Sequence, residues 1–85
     1  MVKVRRGDGS SFETAIIISE CNNTEGVEQE YREIKDRFGP YKLTQQSLIK
    51  HENKMYDLLE LEINGEEVKV YFDITAFFGK GLFDE

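Results

Sequence analysis

Cysteine and histidine each occur once in this chain, as Cys21 and His51, and each scarcity removes a class of explanation. A lone cysteine cannot close an intrachain disulfide, whereas small secreted domains usually carry several, so a reducing cytoplasm is the expected location. Met1 to Arg6 holds basic residues with no apolar stretch behind them, unlike a signal peptide, and no apolar run approaches membrane-spanning length. Positive charge is also short. Eleven Lys and Arg against seventeen Asp and Glu leave a net charge of −6, a field that repels phosphate backbones and anionic lipid headgroups. Nucleic acid and membrane are therefore not expected partners, and a basic protein suits the charge better.

The missing residues also limit catalysis. A general base at His51 needs a nucleophile and an orienting group, for which Ser47, Cys21, Asp57 and Glu52 are available, but no Gly-x-Ser-x-Gly elbow presents any of them. A solvent-facing turn histidine is the simpler reading. Cys21 lies near Glu20 and Glu25, the reverse of the electropositive setting that activates a thiol. Gly7-x-Gly9 and Gly79-Lys80-Gly81 lack the fuller glycine pattern of a phosphate loop, and Asp8 places a negative charge inside the first. Asp57, Glu60, Glu62, Glu66, Glu67 and Asp73 are numerous, yet strand alternation scatters them. Glu60 and Glu62 share a face that Asp73 approaches, without a loop to enclose a cation. No cofactor or metal is expected.

What the chain does have is periodicity. Val27, Tyr31, Ile34 and Phe38 recur at helical spacing and predict a helix from about Glu25 to Phe38. Asn23 or Thr24 is placed to cap it, Glu25, Glu28 and Glu30 suit its positive end, and Lys35 and Arg37 its negative end. Glu28–Arg32 and Glu33–Arg37 are favourable pairs four residues apart. Gly39-Pro40 stops the helix. Before it, Ile16-Ile17-Ile18 is β-branched and predicts a strand. Val2 to Arg6 reads as an edge strand across the turn-forming Gly7 to Ser11. Alternatively, Ser10 and Glu13 form a capping box for a helical turn over Ser11 to Ala15.

Three strands follow the helix. Tyr41 to Lys50 breaks strict alternation at Leu43, Leu48 and Ile49, which predicts a bulge or an edge position. His51 to Lys54 is a turn. Met55 to Ile63 and Val68 to Ile74 flank Asn64-Gly65, the pattern of a two-residue type I′ hairpin. Leu59, Leu61, Ile63, Val68, Val70 and Phe72 share one face, against which the helix stripe is expected to pack. The reading is an α+β fold: one helix on a small, mostly antiparallel sheet in β-α-β-β-β order, with a C-terminal aromatic segment. Residues 1–85 are read as a single domain, with residues 1–9 an edge strand or a flexible lead-in.

Four of the six phenylalanines fall in the last fourteen residues, as Phe72, Phe77, Phe78 and Phe83, beside Leu82. Water disfavours that much aromatic surface, so the segment folds back or meets a partner. Tyr56, Leu58 and Tyr71 project from the sheet face opposite the helix, and the expectation is that Phe77, Phe78, Leu82 and Phe83 cover them. The function expected is a non-catalytic interaction or regulatory module that binds a protein partner, or a second copy of itself, through Tyr56, Leu58, Tyr71, Phe77, Phe78 and Phe83. The alternative is a small-molecule binder or minor enzyme, its pocket between tail and sheet, with His51, Tyr71 and Asp73 as polar groups.

Overall fold

A computed structural model describes residues 3–5 and 7–78. The fold is α+β, with one helix on one face of a five-stranded, mostly antiparallel sheet. In chain order the elements are β1 (Lys3–Arg5), β2 (Ile16–Ser19), α1 (Asn23–Phe38), β3 (Lys42–His51), β4 (Lys54–Ile63) and β5 (Glu66–Asp73). The β-α-β-β-β order expected from the sequence is present, with β1 added as the antiparallel edge strand that pairs Val4 with Ile18. Across the sheet the order is β1-β2-β5-β4-β3, and β2–β5 is the one parallel pair among the described residues, through Ile16–Phe72 and Ile17–Asp73.

The β-branched run of β2 buries Ile16 and Ile18 under the helix and turns Ile17 to the other face. Leu59 and Leu61 of β4, Val70 and Phe72 of β5, Ile34 of α1, Ile74 and Phe77 complete the core. Each fully buried large aliphatic side chain contributes roughly 1.5–3 kcal/mol. Both hairpins turn on two residues of positive φ, as predicted for Asn64 (53°) and Gly65 (83°), and also at Glu52 (51°) and Asn53 (66°). The irregularity expected in β3 is a bulge. Pairing shifts between Leu43–Leu61 and Gln45–Glu60, and the hydroxyl of the extra residue, Thr44, donates to the Glu60 carbonyl at 2.9 Å.

Two expectations for the helix require correction. Its cap is Asn22, not Asn23 or Thr24: Asn22 Oδ1 accepts from the Glu25 N–H at 2.8 Å while Glu25 Oε1 accepts from the Asn22 N–H at 3.0 Å. The buried stripe is Gly26, Glu30 and Ile34, with Val27, Tyr31 and Phe38 half-buried beside it. A glycine and a glutamate do not register as apolar, so the periodicity pointed one residue to the side. The helix ends as expected on Gly39, whose φ is 79° and whose N–H donates to the Lys35 carbonyl at 2.9 Å. Of the two predicted side-chain pairs, Glu33–Arg37 forms at 3.2 Å and Glu28–Arg32 is not among the ion pairs of the described residues.

After β5 the chain turns sharply. Asp73 Oδ1 accepts from the Thr75 N–H, and the Phe77 and Phe78 amides both donate to the Ile74 carbonyl. The Thr75 hydroxyl accepts from the Met55 amide at 3.0 Å, which pins the turn to β4. This carries Phe77 into the core beneath α1 rather than across the far face, contrary to expectation. Leu82 and Phe83 lie outside the described residues. Among the described residues no helix is long and apolar enough to cross a membrane.

Candidate functional site

The two faces of the sheet are finished differently. On the face away from α1, strand register sets Leu58 opposite Tyr71 and Tyr56 opposite Asp73, which unites Tyr56, Leu58 and Tyr71 as predicted. They do not form an open patch: Tyr56 is 5% and Leu58 8% exposed. The cover comes from the segment between β1 and β2. Phe12 stacks on His51 at 4.0 Å with the rings 12° apart and meets Tyr56 and Tyr71 edge-on, each at 4.9 Å. Its loop is held by the Tyr71 N–H donating to the Gly9 carbonyl at 2.7 Å and by Arg37 donating to the Gly7 carbonyl at 3.1 Å. Within it the Ser10 N–H and hydroxyl both donate to Asp8, holding that carboxyl down at about 2. The capping-box turn predicted here is thus an Asp- and Ser-stabilised loop, not a helical turn.

This arrangement engages the polar groups proposed for a pocket. His51 is stacked under Phe12, with Glu52 3.9 Å from its Nε2, and Asp73 holds the Thr75 amide and lies 3.9 Å from Lys54. A shallow cleft of about 230 Å³ remains between Phe12, Glu13, His51, Glu52, Lys54 and Tyr56. Burial raises the Tyr56 hydroxyl above its usual pKa, reinforced by the charges of Asp73, Glu52 and Glu13.

The helix-side face is finished incompletely. The α1 backbone comes nearest to β2, and the far side of the same face, along β3, is left open. Register places Gln46 opposite Leu59 and Leu48 opposite Asp57, so all four side chains belong to the helix face. The result is a groove of about 360 Å³ lined by Asn23 and Val27 of α1, Gln46 and Leu48 of β3, Asp57 of β4, and Ile74, Phe77 and Phe78. Its rim is apolar and wet, with Leu48 55% and Phe78 45% exposed. Its floor is acidic.

Asp57 is 6% exposed, and Gln46 Nε2 donates to its Oδ2 at 3.0 Å; Gln46 Oε1 in turn accepts from the Tyr31 hydroxyl at 3.2 Å. These bonds tie α1 to β3 across the groove. Beside Asp57 stands Glu30, with no exposed surface and no N–H donor from the described residues at either carboxyl oxygen. Burial pushes the Glu30 carboxyl up to about 10, and Asp57 adds to this both as an acceptor for its proton and as a like charge. Glu30 is therefore a neutral acid at physiological pH, next to a carboxylate whose Oδ2 is engaged by an amide. The Tyr31 hydroxyl is raised too, by burial and then by Glu30, Asp57 and Tyr41.

Sequence reasoning missed Glu30 and Gln46, and treated Asp57 as one of several scattered acids. Both carboxyls carry a positional signal. Asp57 is in strand register with Leu59 and Leu61, and Glu30 lies midway between Gly26 and Ile34 on the buried stripe. Of the other acids, register sets Glu60 opposite Lys69 and Glu62 opposite Glu67, while Asp73 lies opposite Tyr56 and does not approach Glu60 and Glu62 as expected. Among the described residues no group of three His, Cys, Asp or Glu is placed to hold a metal ion. Compared with protein-family models, with curated proteins and with solved structures, the chain matches none.

Proposed function

We propose that this chain is a non-catalytic protein-binding module, and that its binding surface is the groove between α1 and β3 together with the open edge of β3. The observation that carries the reading is the pair Leu48 and Phe78, two large apolar side chains left about half exposed in the lining of one groove. Small domains rarely leave such area wet without use. The groove adjoins a strand edge: among the described residues β3 pairs only with β4, so one row of its backbone N–H and C=O groups faces outward. The Thr44 bulge interrupts this edge near its start, and Gln45 to His51 runs in regular register beside the groove. An extended segment of a partner can add to that edge through main-chain bonds while its side chains enter the groove. The net charge of −6 favours a basic segment. Phe78 belongs to this groove on the helix side, not to the far face expected from the sequence, where Phe12 packs on Tyr56 and Tyr71.

Selection of displayed random peptides against the full chain tests the proposal. Peptides retained by the chain and lost with the double variant Leu48→Thr/Phe78→Ser support it. Enrichment of none, or of peptides that bind the double variant equally, refutes it.

A further inference from the structure

We propose that the occupant of the β3 edge is a second copy of this chain, paired antiparallel through β3 about a two-fold axis at Leu48. The inference deepens the function proposed above and rests on its reading of the β3 edge and groove as the binding surface.

The edge is open to pairing rather than guarded against it. Among the described residues β3 pairs only with β4, and beyond the Thr44 bulge Gln45 to His51 runs in unbroken register. Proteins blunt such edges with proline, inward-pointing charge or a bulge along the strand. Gln45 to His51 has no proline and no acidic residue, and the bulge lies before it. At its centre stands Leu48, a leucine left 55% exposed.

The register follows from the symmetry. Two identical strands paired antiparallel about a two-fold axis keep matching sheet faces on the same side. Each residue therefore meets its own counterpart or one an even number of positions away. An axis at Leu48 matches every residue from Gln45 to His51, whereas any other centre leaves part of that segment unpaired or runs it into the bulge. The pairs are Leu48–Leu48, Ser47–Ile49, Gln46–Lys50 and Gln45–His51, and none sets like charges opposite each other. An axis at Gln46 would instead carry Lys42 towards Lys50.

Charge favours the same partner. β3 carries Lys42 and Lys50 and no acid, whereas β4 sets Lys54 against Asp57, Glu60 and Glu62, and β5 sets Lys69 against Glu66, Glu67 and Asp73. The basic segment that suits an acidic chain is thus present in the chain itself. In this pairing Lys50 of one copy lies beside Gln46 of the other, the side chain that donates to Asp57. The net charge of −6 on each copy opposes approach, but physiological salt screens it beyond about 8 Å. The α1 backbone lies nearest β2, towards the opposite edge, so the two helices stand clear of the seam. Leu48 and Phe78 of both copies then share one helix-side surface across the axis. A seam confined to Gln45 to His51 is smaller than the roughly 800 Å² per partner of a standard interface, so the expected dimer is weak, with a Kd of roughly 10–100 μM.

Sedimentation velocity of the full chain should show monomer giving way to dimer between about 5 and 500 μM. Leu48→Lys and Leu48→Glu each place like charges on the axis and should weaken dimerisation by about tenfold or more. An equimolar mixture of the two variants should restore it, a result that loss of folding cannot produce. In wild-type dimer made from labelled and unlabelled chains, NOEs between copies should join Ser47 to Ile49 and Gln46 to Lys50. Within one copy Gln46 and Lys50 are about 13 Å apart along the strand, so that contact reports only the seam. A chain that stays monomeric throughout the range, variants that dimerise as the wild type does, or NOEs that place another surface at the seam would overturn the proposal. The peptide selection separates the two readings. Peptides that require Leu48 and Phe78, bound by a chain that stays monomeric, keep the binding module and remove the second copy. A dimer in this register with no peptide retained keeps the seam and removes the open peptide site.

Discussion

The tip of the Phe77 ring seats directly on Gly26, in the first turns of α1. A Cβ added at Gly26 would come within 2.6 Å of three atoms of that ring, closer than any real contact allows. Glycine in a helix usually weakens it, and replacement by alanine at an exposed interior site gains about 1 kcal/mol. Here the sign reverses. Gly26→Ala should destabilise the chain by about 1–3 kcal/mol through overpacking. Phe77→Leu, itself destabilising, should remove most of that penalty, so that the two changes together cost less than the sum of their separate costs. Urea denaturation of the four chains closes the cycle; strict additivity would show that Gly26 and Phe77 do not constrain each other.

Glu30 makes a prediction about pH. It keeps its proton up to about 10 in the folded chain, against 4.5 for a free glutamate. Between those values the unfolded state holds fewer protons than the folded state, so the Glu30 contribution to stability is intact below about pH 4.5 and is lost as pH rises towards 10. Glu30→Gln removes the titration while preserving shape. The variant should match the wild type near pH 4 and become steadily the more stable chain as pH rises to 9. The difference between the two chains isolates this group, because the other titrating residues are common to both. A difference that is flat from pH 4 to pH 9 would mean that Glu30 ionises in the folded state as it does in water.

The strands, the helix and both turns after it could be read from the sequence because each rests on a local rule. Alternation in β4 and β5, the Asn64-Gly65 dipeptide and the Gly39 stop act within a few residues. The groove could not be read in the same way. It depends on where α1 lies across the sheet, nearer β2 than β3, and that is set by distant packing, including Phe77 over Gly26. Glu30 was hidden for the opposite reason: a charged residue near a helix N-terminus has a good surface explanation in the helix dipole, and the structure places it inside. Phe12 was similarly silent, since one aromatic residue in a polar loop carries no period.

Phe12 yields the next prediction. It is half-buried, and its three ring contacts with His51, Tyr56 and Tyr71 add to the Gly7 and Gly9 hydrogen bonds in holding the loop between β1 and β2 against the sheet. Phe12→Leu keeps apolar volume and loses the ring geometry, with an expected cost of about 1 kcal/mol, and Phe12→Ala should cost about 2 kcal/mol or more. The same changes should raise hydrogen exchange and protease cleavage within residues 7–15 while the amides of α1 keep their protection. Unchanged protection of that loop in a folded Phe12→Ala chain would show that its backbone bonds, such as the Tyr71 N–H to the Gly9 carbonyl, suffice without the ring.

The open edge of β3 distinguishes strand addition from a contact confined to the groove. In the free chain, alternate amides from Gln45 to His51 point away from β4 and should exchange at nearly the rate of exposed backbone, while their neighbours bonded to β4 are protected. A bound peptide that extends the sheet should slow those outward amides by tenfold or more and leave the inward set little changed. A peptide that only fills the groove should shift the Asn23, Gln46 and Phe78 signals and leave the outward amides fast. Leu48→Thr and Phe78→Ser serve as controls in both cases, since each side chain is about half exposed and its removal should change stability by no more than about 0.5 kcal/mol. The same exchange pattern reports self-association: if β3 of one copy pairs with β3 of another, the outward amides become protected as chain concentration rises, with no peptide present.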